Sequence, residues 1–280
     1  MIGIIPAAGA GQRIQPLGCS KELLPVGSRV VDGVERPKAV SEYLVERMIA
    51  AGATQICVVI SAEKSDIVRY FAERDYAAEI FYVVQQHPRG LCDALFRAEP
   101  FVRDDQTVLI GLPDTIWFPE NAYTPAIKQN ADVNLVLFPV LTPAVFDAVV
   151  CDELGYVERV EVKRPDAHSH WIWGAVTARG SAFRALKRLW DARHREDEFL
   201  GHLLNAYMAA GMLCAPLSQA NTTWMWEPSK AITRRKITCA PRSFAAAFWQ
   251  PDPRLDSSQR RIPFNQSGCS GAQDGAHHVF

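Results

Sequence analysis

Ile2-Gly3-Ile4-Ile5-Pro6-Ala7-Ala8-Gly9-Ala10-Gly11-Gln12-Arg13-Ile14-Gln15-Pro16-Leu17-Gly18-Cys19-Ser20-Lys21-Glu22-Leu23-Leu24-Pro25 is the stretch on which the reading of this chain turns. Ile2 to Ile5 is an apolar run with the composition of a buried β-strand, and it feeds a glycine-rich loop. A strand ending in such a loop is where a doubly wound α/β protein seats phosphates. Glycines let the backbone bend tightly and come close to anionic oxygens. Arg13 and Lys21 follow with no acidic residue between them, a pattern suited to holding a polyphosphate and neutralising charge on a transferring group. The loop is not a P-loop, because no Gly-Lys-Ser/Thr closes it. It is not a full dinucleotide fingerprint either: Ile14 stands where the third glycine would fall, and a lone Gly-x-Gly also fits a plain tight turn.

The whole string is more specific than its glycines. Gly9-Ala10-Gly11-Gln12-Arg13 with Pro16, then Lys21-Glu22-Leu23-Leu24-Pro25-Val26, resembles the signature of the sugar-1-phosphate nucleotidylyltransferases. That family includes glucose-1-phosphate thymidylyltransferases and UTP–glucose-1-phosphate uridylyltransferases. Ile5-Pro6-Ala7-Ala8-Gly9 is closer to the uridylyl type, and the spacing from Arg13 to Lys21 is shorter than in the thymidylyl type. The resemblance covers about residues 1–235, strongest over the first 25. It implies Arg13 and Lys21 as catalytic cations, and Ala8, Gly9 and Gly11 as backbone contacts to the nucleotide.

Working outward, Gln85-Gln86-His87-Pro88-Arg89-Gly90 follows a predicted strand and opens a helix. The family places a glutamine five residues before a glycine here to contact the base, which Gln85 and Gly90 match. An amide can donate to one edge of a pyrimidine and accept from the other. A strand–helix turn punctuated by Pro88 and Gly90 is the plainer alternative. Leu109-Ile110-Gly111-Leu112-Pro113-Asp114 ends an apolar strand on a carboxylate, where an open α/β sheet binds its ligands. By resemblance Asp114 is an Mg²⁺ ligand; otherwise it caps the helix expected near Pro119. Gly155 to Pro165 resembles the family's sugar-phosphate segment ending in Glu-Lys-Pro, with Lys163 for the lysine. Arg164 is inserted before Pro165, and Val162 takes the glutamate position unless Glu161 fills the role. Gly174 matches a glycine lining the sugar pocket. An exposed basic hairpin edge is the alternative for this segment. The family's second metal-binding Asp is missing: Asn221 to Ser229 holds only Glu227 as a carboxylate.

Strand and helix patterns alternate through residue 139, predicting an α/β fold with a doubly wound, mainly parallel, Rossmann-like sheet. The helices expected in that half are Val40–Ala51, Ser65–Glu73, Leu91–Ala98 and Pro119–Asn130. After 145 the pattern shifts to a strand pair across Val149–Lys163, a strand Trp171–Thr177, and helices near Ser181–His194 and Glu198–Gly211. Residues 1–145 read as the nucleotide-binding half and 146–240 as a sugar-binding half, a smaller hairpin-and-helix lid over the same sheet. Residues 241–280 read as an irregular tail.

The 280 residues carry 30 basic and 31 acidic side chains, a net charge of −1. That balance argues against nucleic acid or an anionic membrane as the main partner. Seven cysteines, an odd number with no Cys-x-x-Cys pair, read as reduced thiols of a cytoplasmic protein. Met1-Ile2-Gly3 enters the first strand with no basic leader, so no signal peptide is expected. No run approaches the roughly 18 apolar residues of a membrane span. The expected activity is nucleotidyl transfer from dTTP or UTP to a sugar 1-phosphate, glucose 1-phosphate above all, with Mg²⁺ as cofactor. The expected partners are those small molecules, and a homo-oligomer stays open. A cytidylyltransferase for a non-sugar phosphate or phosphonate and a non-catalytic nucleotide-sugar sensor remain as alternatives.

Overall fold

Alternate residues of β1 (Ile2–Pro6) face opposite sides of a sheet: Ile2 and Ile4 join one apolar cluster and Ile5 the other. The same split divides Cys57 and Val59 from Ile56, Val58 and Ile60, and separates Val108 and Ile110 from Leu109. Strands apolar on both faces must be covered on both faces, which is the physical content of double winding. The computed structural model describes residues 1–129, 131–218 and 225–226.

In chain order, β1 is followed by β2 (Pro25–Val31), β3 (Val34–Ala39), α1 (Val40–Ala50), β4 (Gln55–Ile60), α2 (Ser65–Ala72) and β5 (Glu79–Val84). Then come α3 (Gly90–Phe96), β6 (Thr107–Gly111), β7 (Ile116–Trp117), α4 (Tyr123–Ile127) and β8 (Val133–Pro139). The second half contributes β9 (Asp147–Cys151), β10 (Val157–Val162), β11 (Trp171–Arg179), α5 (Gly180–Ala192), α6 (Leu200–Ala209), β12 (Cys214–Ser218) and β13 (Met225–Trp226).

The sheet runs β10-β9-β11-β6-β1-β4-β5, with β8 pairing β11 and β12 off that path. β6, β1, β4 and β5 are mutually parallel. β11 joins antiparallel to β6, so the second half extends the same sheet. Residues of α1, α2 and α4 cover one face; those of α3, α5 and α6 cover the other. No helix among the described residues is long and apolar enough to cross a membrane.

Three departures from the sequence reading have local causes. β2 and β3 form a separate two-stranded hairpin that the reading did not include. Its turn is Asp32-Gly33, both at positive φ (50° and 76°), the geometry Asp-Gly favours. The helix expected over Pro119–Asn130 is only Tyr123–Ile127, because residues 119–122 close a turn instead, with Ala122 N–H donating to Pro119 O at 3.3 Å and Thr124 N–H to Asn121 O at 3.0 Å; Asn130 lies outside the described residues. β12, which the reading did not include, carries Pro216, which cannot donate to a ladder, and among the described residues it pairs only with β8. The expected tail, 241–280, lies outside the described residues.

Candidate active site

Beyond the carboxyl ends of β1 and β6 lies a cleft of about 430 Å³ lined by Ala10, Gly11, Gln12, Ile14, Lys21, Pro88 and Asp114. The glycine-rich loop makes one wall. Gly11 is left-handed (φ 64°, ψ 29°) and starts the single 3₁₀ turn Gln12–Ile14. A Cβ on Gly11 would sit 3.1 Å from Cδ of Lys21, so the lysine stem lies along the glycine. Gly9 has open space where a Cβ would go, and it is exposed next to buried Ala8. Arg13 belongs to the 3₁₀ turn by its backbone.

Asp114 is three residues past β6, and its Oδ2 accepts from Nζ of Lys21 at 2.6 Å. Two residues 93 apart in sequence thus meet across the cleft, because β1 and β6 are neighbours in the sheet. A carboxylate in this setting is a hard oxygen donor of the kind Mg²⁺ uses, with phosphate oxygens and water completing the shell. No cluster of three or more His, Cys, Asp or Glu gathers among the described residues. Glu227 lies outside them, as do 221–224.

Gln85 and Gly90 bracket the loop that brings Pro88 to the cleft. Gln85 is buried, and its Nε2 donates to Oδ2 of Asp93 at 2.6 Å, while Asp93 also takes Nη2 of Arg97 at 3.3 Å. The amide orientation is therefore set from inside α3. Gly90, at φ 90°, packs on a segment the sequence reading had not connected to it. A Cβ there would lie 2.2 Å from Cγ and 2.8 Å from the carbonyl oxygen of Glu198. That carbonyl accepts from Leu91 N–H at 3.0 Å and Cys92 N–H at 3.3 Å. The need for glycine at position 90 is thus met by packing inside the protein.

The three sugar-side residues are not among the cleft-lining ones. Ala175 pairs with Gly111, so Trp171 to Gly174 overhang the carboxyl end of β6. Gly174 is buried at a bulge where the β11–β8 register shifts. Ile172 pairs with Ala148 and Val162 with Asp147, which carries Lys163 to the same sheet edge as Asp114. Lys163 is exposed, holds φ 48°, and places Nζ 3.6 Å from the centroid of Phe199. Glu161 is buried and already engaged: it accepts from His168 N–H at 2.7 Å and from Arg159 Nη2 at 3.1 Å, and its Oε1 lies 2.9 Å from His168 Nδ1. Nearby Asp147 is partly buried, and burial pushes its carboxyl up against the opposing pull of Trp173, Lys163 and His202.

The sequence reading missed the residues behind the loop. Lys64 is buried, and its Nζ donates to Ala7 O (2.7 Å), Gly9 O (2.7 Å) and both carboxylate oxygens of Glu22 (2.8 Å each). Burial pushes the Lys64 ammonium down and the Glu22 carboxyl up, each opposed by the other's charge. Asp66 accepts from Ser20 N–H and Ser20 Oγ, both at 2.7 Å. The signal was the polar run Glu63 to Asp66, just beyond the carboxyl end of apolar β4.

Comparison with known proteins adds an independent line. The nucleotidyl transferase family matches residues 2–225. The glucose-1-phosphate thymidylyltransferase of Neisseria meningitidis serogroup A is 25% identical, over 96% of this chain and 97% of that protein. The UTP–glucose-1-phosphate uridylyltransferase of Mycoplasma pneumoniae is 32% identical over 45% of this chain and 47% of that protein. A Bacillus anthracis structure assigned as a glucose-1-phosphate thymidylyltransferase, with sucrose bound, superposes with a TM-score of 0.69 at 22% identity, over 82% of this chain and 90% of that one. The inositol-1-phosphate CTP transferase of T. maritima does so with a TM-score of 0.61 at 16% identity, over 86% and 98%. At these identities the two structures speak to the fold.

Proposed function

The chain belongs to the nucleotidyl transferase family, and on that premise we propose that it transfers a nucleotidyl group from dTTP or UTP to a sugar 1-phosphate, glucose 1-phosphate first among them. One observation carries the reading: a left-handed glycine turn, a lysine and a carboxylate line a single cleft at the carboxyl edge of the sheet. That is the equipment for gathering phosphates. In the reaction a sugar-phosphate oxygen forms a bond to the α-phosphorus of the NTP, the α–β anhydride breaks, and pyrophosphate leaves. One phosphoanhydride replaces another, so the reaction runs in both directions.

The attacking oxygen already carries negative charge, so the protein needs no nucleophile and no general base. Its work is to bring two polyanions together and offset their charge. Lys21 addresses the α-phosphate and Arg13 the departing phosphates. The loop amides around Ala8, Gly9 and Gly11 take phosphate oxygens. Gln85 reads the base through its amide, one hydrogen of which is pinned to Asp93, and Gly90 keeps that loop in place. Lys163 holds the sugar phosphate, and Gly174 and Glu161 shape the sugar side. Asp114 would hold Mg²⁺, which when bound offsets charge between the two phosphates.

Pyrophosphate release measured over a grid of NTPs and sugar phosphates tests this reading. The highest kcat/KM is expected for dTTP or UTP with glucose 1-phosphate. A preference for ATP or GTP would overturn the base assignment. CTP with a non-sugar phosphate would promote the cytidylyltransferase alternative. Nucleotide-sugar binding without turnover on any pair would mark a sensor.

A further inference from the structure

We propose that the start of α2 is a positioning clamp for the phosphate loop: Lys64, through Ala7, Gly9 and Glu22, and Asp66, through Ser20, set the main chain that receives the nucleotide. The inference rests on the nucleotidyl-transfer reading and adds residues to it. None of the clamp residues lines the cleft, so each acts through the backbone it holds.

The argument begins with the peptide unit. In a planar trans peptide the carbonyl of one residue and the N–H of the next point in opposite directions. Lys64 Nζ gathers the carbonyls of Ala7 and Gly9 from behind the loop. The N–H groups of Ala8 and Ala10 therefore point away from Lys64, and Ala10 is a lining residue of the cleft. Among the described residues no backbone carbonyl accepts from either amide. Glu22 does two things. It neutralises Lys64 in the interior, and as the residue after Lys21 it ties the lysine's own peptide to the same ammonium. Asp66 fixes the residue before Lys21 by two bonds to Ser20. One short segment thus holds both ends of the loop, and Lys21 is registered against the amides it must work with.

A purely structural ion pair predicts something different from a clamp. Replacing a buried pair by apolar residues of similar size is often tolerated for stability. The double variant Lys64→Met/Glu22→Leu should therefore melt close to the parent. Under the clamp it should still bind inorganic pyrophosphate at least about tenfold more weakly, show a raised KM for the NTP and a roughly hundredfold lower kcat, and keep the parent KM for sugar phosphate. Parent-like kinetics in that folded double variant would overturn the clamp. Should the double variant not fold, Asp66→Ala decides, since Asp66 is partly exposed: the clamp expects faster amide exchange at 8–20 and a raised NTP KM alone, and unchanged values overturn it. A parent protein that binds no pyrophosphate would instead count against the nucleotidyl-transfer reading itself.

Discussion

At the scale of single residues, Lys21 is the lysine that the cleft presents. Its side chain is 22% exposed at the cleft rim, its stem runs along Gly11, and its ammonium meets Asp114. There the lysine and the carboxylate compensate each other. On the proposed function, a bound triphosphate would offer the lysine a denser partner and free the carboxylate for a divalent ion. Lys21→Ala removes a charge from a wet rim and opens no cavity in the core, so the melting temperature should stay within a few degrees. Turnover should fall by at least about a hundredfold, the usual cost of removing a preorganised charge from a developing one. Steady-state kinetics beside thermal melting checks both halves. A well-folded Lys21→Ala protein with near-parent kcat would remove Lys21 from the machinery.

At the scale of elements, the junction of α3 with the segment before α6 is the tightest of those that shape the cleft. Gly90→Ala should destabilise the protein by about 1–3 kcal/mol, combining an overpacked contact on the Glu198 backbone with a φ that an L side chain resists. The Gly9→Ala change meets nothing within 4 Å and should leave the urea midpoint nearly unchanged. Equal midpoints for the two variants would contradict this packing account. Elements also mark where sequence alone ran short. β6 falls on the apolar run read before Asp114, because a strand buried on both faces announces itself by composition. Glu198 could not be paired with Gly90 that way, since 108 positions separate them and no local pattern links them. Lys64 was equally hidden: a lysine before an amphipathic helix looks like a solvated cap, and only the sheet topology shows that it points behind the loop. The glycine loop and Asp114 were legible because each follows the end of a strand, where an open α/β sheet seats its ligands, and Lys21 was legible from the motif that continues that loop.

At the scale of the whole molecule, net charge conceals the device. A chain at −1 overall has no field to draw in polyanions, so its cations must be placed where they count. A triphosphate and a sugar phosphate bring about six negative charges together, and Arg13, Lys21 and Lys163 would offset half of them. Lys64 adds nothing to that balance, because Glu22 already holds it from behind. On that reading a divalent ion would supply the rest of the charge that lets the two substrates approach. Activity should therefore require Mg²⁺, and Asp114→Asn should nearly abolish it. Glu227, outside the described residues, offers the test of whether a second carboxylate shares the ion. If it does, Glu227→Gln should raise the Mg²⁺ concentration needed for half-maximal rate severalfold. If Glu227→Gln instead titrates like the parent, Asp114 and the phosphates hold the metal alone. Full turnover in excess chelator would overturn the metal requirement, and the missing charge would then have to come from the protein's own cations.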